Sequence, residues 1–477
     1  MIRTFYVVAL IVSTTALWAG ELTIEPYTFE PRRGEPVEAE RGRFHVPENR
    51  DDPDSRMIEM SFVRFPSTSD KPGNPIVYLA GGPGGSGVAT ARGRRFPLFM
   101  KLREVADVIA FDQRGTGWSN AIPRCERDAS LVGLLEPMTR DAWLRAYQTL
   151  ASECADFWRA QGVDLNGYDS ARSAADLEDL RRVLGVEQID LWGISYGTHL
   201  ALAALRQHPT SFGRVVLASI EGPDDTVKLP SRTDAFLEHL SSLVRQDPEL
   251  SKEIPDLVAL MRTVLDKLDA EPARIKVPNR FTGEVVNLVI DKLTVQALTG
   301  YLIKNPDTIA TLPRAYWAMS QGDYTALAPY LVRFKSLRSM GGMSEAMDAA
   351  SGMSAARHKR IEEERATAVL GDALNFPGVE LAEALGIETL PSTFRAPLQS
   401  SVPTLFLSGT LDGRTYVDAA REVAAGFDHG VHVIVENAGH DLFMSDEEIG
   451  RRIAEFFATG TTSQTPITLP PIRFAHP

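Results

Sequence analysis

Ile189-Asp190-Leu191-Trp192-Gly193-Ile194-Ser195-Tyr196-Gly197 passes from a short apolar run into Gly-x-Ser-x-Gly and then into the helical pattern Thr198 to Arg206. A serine set this way, with a strand before it and a helix after it, sits on a sharp turn at the carboxyl edge of a sheet. The glycines leave room for neighbouring backbone, and the strained turn presents the hydroxyl at the helix N-terminus. A serine hydroxyl is a weak nucleophile until a base takes its proton and a third group orients that base. The rest of the chain must then supply both.

Outward from this segment the same alternation continues. Ile76 to Ala80, Val108 to Phe111, Val215 to Ile220, Thr404 to Leu407 and Val431 to Val435 are short, largely β-branched apolar runs. Strands that are apolar on both sides suit a parallel sheet covered on two faces. Helical patterns such as Ala174 to Leu184 lie between them, so the expected class is α/β, a mostly parallel, doubly wound sheet. Residues 21–225 and 399–458 form the two parts of this core, the first opening with a β extension over 21–65. Between them, residues 226–398 read as a mainly helical insertion, with Asp234 to Val244, Pro255 to Leu268 and Leu293 to Ile303 as helices and Glu284 to Ile290 as a strand. Residues 459–477 are a Pro- and Thr-rich tail with little to bury.

In a fold of this kind the order along the chain is serine, acid, histidine. Three histidines follow the insertion: His429, His432 and His440. His432 falls inside a strand, whereas His440 falls in the turn after it, where a base has to stand; His429 is the fallback. The acid belongs in the loop after Thr404 to Ser408, which contains Asp412; its competitor Asp418 lies in the following helix pattern. Asp412 would hold the His440 tautomer and stabilise the imidazolium. Donors for the developing oxyanion come from the N–H of Tyr196 and from the loop Gly81-Gly82-Pro83-Gly84-Gly85-Ser86-Gly87. That loop lacks the Lys-Ser or Lys-Thr of a phosphate cradle.

Composition excludes several other classes. The chain has 477 residues, and 50 Lys plus Arg against 63 Asp plus Glu leave a net charge of −13, with no long basic run. Phosphate-backbone binding needs a basic face, so nucleic acid is not an expected partner. Neither Cys-x-x-Cys nor His-Glu-x-x-His occurs, and no metal or other cofactor is expected. Residues 1–20 combine Arg3 with an apolar stretch from Phe5 to Ala19 and small residues near its end, the pattern of a signal peptide. The stretch falls short of the roughly 20 residues that span a bilayer. The expectation is therefore an exported, secreted or periplasmic protein, off the membrane once the leader is cleaved. Cys125 and Cys154 then read as one disulfide, with two buried free thiols as the alternative.

Gly81-Gly82-Pro83-Gly84, Asp112-Gln113-Arg114-Gly115-Thr116-Gly117, Gly193-Ile194-Ser195-Tyr196-Gly197, Ser408-Gly409-Thr410-Leu411-Asp412 and Gly439-His440 occur in that order. With these motifs the chain resembles the prolyl iminopeptidase and tripeptidyl aminopeptidase family of α/β-hydrolases. The resemblance implies catalysis by Ser195, Asp412 and His440, oxyanion N–H groups from Gly82 and Tyr196, and a helical cap inserted before the acid. It implies a peptide substrate with a free N-terminus. Ala80, Tyr416 and Gly371 stand where relatives tend to have histidine, proline and cysteine, which loosens the substrate assignment. Asp112 and Arg114 are read as a pair bracing their turn, Arg114 with a possible second role at the substrate. A free α-ammonium calls for an unpaired carboxylate near the nucleophile; Glu221 and Asp372 are the candidates, and Glu362 to Glu364 read as a solvated helix face. An esterase or amidase with the same triad, or a silent binding protein on the same scaffold, are the competing readings.

Overall fold

The computed structural model describes residues 20–126, 137–278, 285–327, 330 and 339–476. The signal peptide expected over residues 1–20 lies outside these, apart from Gly20. Among the described residues fourteen strands occur: β1 (Thr23–Phe29), β2 (Val37–Pro47), β3 (Met57–Phe65), β4 (Ile76–Leu79), β5 (Val108–Asp112), β6 (Cys125–Glu126), β7 (Ile189–Ser195), β8 (Phe212–Ile220), β9 (Ala273–Pro278), β10 (Val285–Ile290), β11 (Ser339–Met340), β12 (Thr404–Gly409), β13 (Gly430–Glu436) and β14 (Ile467–Thr468). Ten of them form one sheet in the order β1-β2-β3-β5-β4-β7-β8-β12-β13-β14. The first three strands are antiparallel, and from β5 onward every pairing is parallel. The chain leaves β4 for β5 on one side and leaves β7 for β8 on the other, and the crevice beyond the carboxyl ends of such a strand pair is where α/β sheets place their sites.

Alternating side chains of the same strands feed two cores. Val77, Leu79, Leu191 and Leu217 pack on one face. Ile76, Tyr78, Trp192 and Val216 pack on the other. This period of two on a strand apolar throughout is the physical basis of the parallel-sheet expectation.

The inserted region splits between two cores. Its helices Pro230–Gln246, Leu257–Ala270 and Lys292–Leu302 build a third cluster around Phe236, Leu240 and Met261, which also takes in Leu411 and Tyr416 from the loop after β12. The helix Met343–Ser351 instead joins the first core through Met343 and Met347. The short strands β6 and β11 pair across the boundary, and Cys125 and Cys154 are disulfide-bonded beside them. The tail departs from expectation. It adds β14 to the sheet and buries Ile467, Leu469 and Phe474, the last within the third cluster. Three apolar residues spaced among prolines carry no periodic signal, yet they cover surfaces that other elements leave open.

Candidate active site

Ser195 sits at the end of β7 with φ 55° and ψ −129°, and the helix Tyr196–Gln207 begins directly after it. A side chain at this positive φ is strained by about 1–3 kcal/mol, held in place by its surroundings. The reason for the flanking glycines is close approach. A Cβ on Gly193 would stand 2.7 Å from the Gly197 carbonyl oxygen, and one on Gly197 would overlap that of Leu79. The glycine-rich loop after β4 runs against the same point, since a Cβ on Gly81 would lie 2.8 Å from the Ile194 carbonyl oxygen and 2.9 Å from Ser195 Cβ. Tyr196 occupies the first helical position, where backbone N–H groups have no intrahelical acceptor. Gly82, in the adjoining loop, has φ 132°.

Asp412 and His440 come from the loops after β12 and β13, which follow β7 and β8 in the sheet. His440 Nδ1 lies 2.9 Å from Asp412 Oδ2 and 3.1 Å from Oδ1, and both residues are buried. The Arg414 N–H donates to Asp412 Oδ1 at 2.8 Å, and the Thr415 hydroxyl donates to Oδ2 at 2.5 Å. Burial presses the Asp412 carboxyl upward, but the His440 imidazole and the Thr415 hydroxyl and N–H outweigh it and hold it below its ordinary value. The main chain of His440 is anchored as well, its N–H on the Lys304 carbonyl at 2.8 Å and its carbonyl accepting from Ser219 Oγ at 2.6 Å.

Ser195, His440, Gly81 and Gly82 line one cavity of about 690 Å³. A serine on a strained elbow, a carboxylate-bound histidine and a glycine-rich loop around one cavity can carry out acyl transfer. The sequence pattern of a family described as alpha/beta hydrolase fold matches residues 74–447. The chain belongs to that family. Among curated relatives of this α/β hydrolase, the "Serine protease Hip1" of Mycobacterium tuberculosis is 27% identical over 281 residues, 53% of this chain and 54% of that protein. A "Tripeptidyl aminopeptidase" from Streptomyces lividans is 29% identical over 197 residues, 38% of this chain and 35% of that protein. The chain thus spans about half the length, or less, of these curated relatives. Of solved structures, a proline iminopeptidase-related protein from Thermus thermophilus aligns with a TM-score of 0.37 at 16% identity, covering 87% of this chain and 95% of that one.

The remaining site candidates of the α/β hydrolase are placed elsewhere. His429 is exposed in the turn before β13, and Asp418 is exposed and paired with Arg421 at 2.8 Å. His432 binds Ser408 Oγ at 2.9 Å, and burial pushes its imidazole down to about 4. Asp112 and Arg114 do not pair with each other. Asp112 accepts from Ser86 Oγ at 2.6 Å and Trp118 N at 2.8 Å, tying the glycine-rich loop to the turn after β5. Arg114 is fully buried on Asp176 at 2.7 Å and does not line the cavity. Glu364 and Glu362 pair with Arg360 and Arg365 along their helix and the residues just after it.

Neither acid chosen for the α-ammonium is unpaired. Glu221 Oε2 lies 2.6 Å from Lys228 Nζ, both buried. Asp372 is held by Arg140 at 2.6 Å, which also reaches Glu380 at 3.0 Å. A residue number close to an apolar strand end or cap run does not reveal the cation that folding brings against it.

The acid that sequence reasoning missed is Asp348. It lines a second cavity of about 340 Å³ with Glu345, and this cavity shares Leu374 and Phe376 with the first. Its helix, Met343–Ser351, starts beside the glycine-rich loop, a Cβ on Gly84 standing 3.6 Å from Ser344 Cβ. Met347 Sδ meets the Tyr196 hydroxyl at 2.9 Å, so the same helix braces the residue after Ser195. Glu345 is engaged at the helix start, accepting from the Gly342 N–H at 2.9 Å. The Asp348 side chain has neither a hydrogen bond nor an ion pair among the described residues. Burial pushes its carboxyl up to about 8, with the Glu221 and Glu345 charges adding to the rise and Lys228 and Arg414 opposing it. The available signal was a pair of acids at i and i+3 in an otherwise small and apolar helix, MSEAMDAAS.

Proposed function

We propose that the protein is an exported serine aminopeptidase that takes the free N-terminus of a peptide at Asp348 and cleaves through an acyl-enzyme on Ser195. Asp348 carries this reading, as a carboxyl group without a partner among the described residues, in the cavity that adjoins the one at Ser195. An unpaired, half-buried acid is unfavourable in its charged form and is relieved by an incoming cation. Curated relatives named as a serine protease and a tripeptidyl aminopeptidase support the same class. The leader pattern and the disulfide support export. Among the described residues no helix is long and apolar enough to cross a membrane, and no group of side chains could hold a metal ion.

In this mechanism Ser195 Oγ attacks the scissile carbonyl as His440 takes its proton. The N–H groups of Gly82 and Tyr196 stabilise the oxyanion, His440 returns the proton to the leaving amine, and water then releases the acyl group. The test compares peptidyl arylamides with their N-acetylated forms and with a simple aryl ester, with Ser195→Ala as the blank. A preference for the free amine of about tenfold or more, collapsing in Asp348→Asn, is expected. Equal turnover of acetylated substrates would leave a serine hydrolase without amine selectivity, an esterase or amidase.

A further inference from the structure

The cavity at Ser195 is electrically opposite to the chain that contains it. A protein of net charge −13 lines this cavity with Arg94, Arg95, Lys304 and Arg414, and among the described lining residues Asp441 is the one acid. Asp441 is already committed to Arg94 and Arg95, the latter at 2.5 Å. Lys304 and Arg414 are left over. Among the described residues neither side chain forms an ion pair, although the Asp441 and Asp412 charges act on Lys304 from further off, and the Arg414 guanidinium has only a long contact of 3.4 Å to the Gly300 carbonyl. Burial and the neighbouring Arg414 charge pull the Lys304 ammonium below its ordinary value. Two like charges held near each other at a cavity wall favour an anion between them.

Their attachment says which end of a substrate they face. The Lys304 carbonyl holds the His440 N–H at 2.8 Å, and the Arg414 N–H holds Asp412 at 2.8 Å, so both cations are tethered on the base's side of the nucleophile. His440 must give its proton to the leaving amine, so the departing part of the substrate lies on that side. The acids Glu345 and Asp348 line the adjoining cavity instead, on the helix beside the glycine-rich loop. We infer that Lys304 and Arg414 form a carboxylate-binding subsite for the leaving portion of the substrate, so that the preferred substrates are short peptides ending in a free carboxylate close after the cleaved bond. This rests on the peptidase reading above. Guanidinium and ammonium donors suit a carboxylate, whether it is the C-terminus or an acidic side chain of the first leaving residue.

Three peptides that share one acyl part and differ only in the leaving residue separate these sources: alanine as free acid, alanine amide and aspartate amide. The free acid should exceed the alanine amide in kcat/KM by about tenfold or more, the size of one charge-assisted contact. The ratio should fall to about one in Lys304→Met with Arg414→Gln. Because it is taken within each variant, partial misfolding cancels from it. Aspartate amide matching the free acid would place the recognised carboxylate on the side chain as well as the terminus, within the same subsite. A ratio near one in the wild type, or an undiminished ratio in the double variant, overturns the inference. Titrating the same peptides into Ser195→Ala reads the ratio from binding without turnover. N-acetylated versions cleaved as fast as free ones would instead overturn the amine reading and leave the acid-to-amide ratio intact.

Discussion

At Asp412 four donors converge on one buried carboxylate: two backbone N–H groups, the Thr415 hydroxyl and His440 Nδ1. An amide in its place keeps the shape but offers an N–H of its own where the imidazole N–H should be accepted, which forces the wrong tautomer. Asp412→Asn should therefore lower kcat by about 10⁴ with little change in KM, read by steady-state kinetics on the folded variant. Asp348 makes the opposite kind of prediction. Its carboxyl is raised to about 8 in the folded chain, so the native state keeps a proton that the unfolded chain has already lost. Stability should then decline as pH rises from about 4 towards about 8. Asp348→Asn should flatten that decline in melting temperature, and an unchanged slope would show that the group titrates normally. The two residues also differ in legibility. Asp412 was readable because it follows a strand at a set distance before a histidine turn. Asp348 was not, because the pair Glu345 and Asp348 in a small, apolar helix does not say whether it faces a cavity or water.

The elbow is the element whose geometry tolerates least. Gly197 lies where the helix after Ser195 crosses the end of β4, with no space for a methyl group before the Leu79 carbonyl oxygen. Gly197→Ala should reduce activity far more than its modest volume suggests, since either β4 or the serine must shift; a misplacement of about 1 Å can cost a hundredfold. Labelling of Ser195 by a fluorophosphonate, set against circular dichroism, would separate displacement from unfolding. The pairing of β6 with β11 is an element of another kind, two residues long on each side, with β6 also tied to the helix Arg140–Ala160 by Cys125 and Cys154, 29 positions apart. By the chain-entropy model a loop of that size contributes about 3–4 kcal/mol. Denaturant unfolding with and without reductant should show a difference of that order. The strands of the sheet were legible from apolar runs, because strands covered on both faces need no other code. The short β6 and β11 were not, since two residues carry no period and their pairing joins segments far apart along the chain.

For the whole molecule the tail is the sharpest departure. Phe474 is 8% exposed and sits among residues of the inserted helices, and β14 closes one end of the sheet. Phe474→Ala should destabilise the protein by about 3 kcal/mol, measured by denaturant unfolding. A change below about 0.5 kcal/mol would mean that the tail is an accessory layer. The chain by itself determined the α/β class, the serine turn and the loops in which Asp412 and His440 stand, because each is a local pattern of apolar period, glycine and turn. Which carboxylates are neutralised, which cations stay free around Ser195, and what covers the last strand were decided only by tertiary structure. Charge pairing and burial depend on neighbours in space, and folding brings those neighbours from far along the chain.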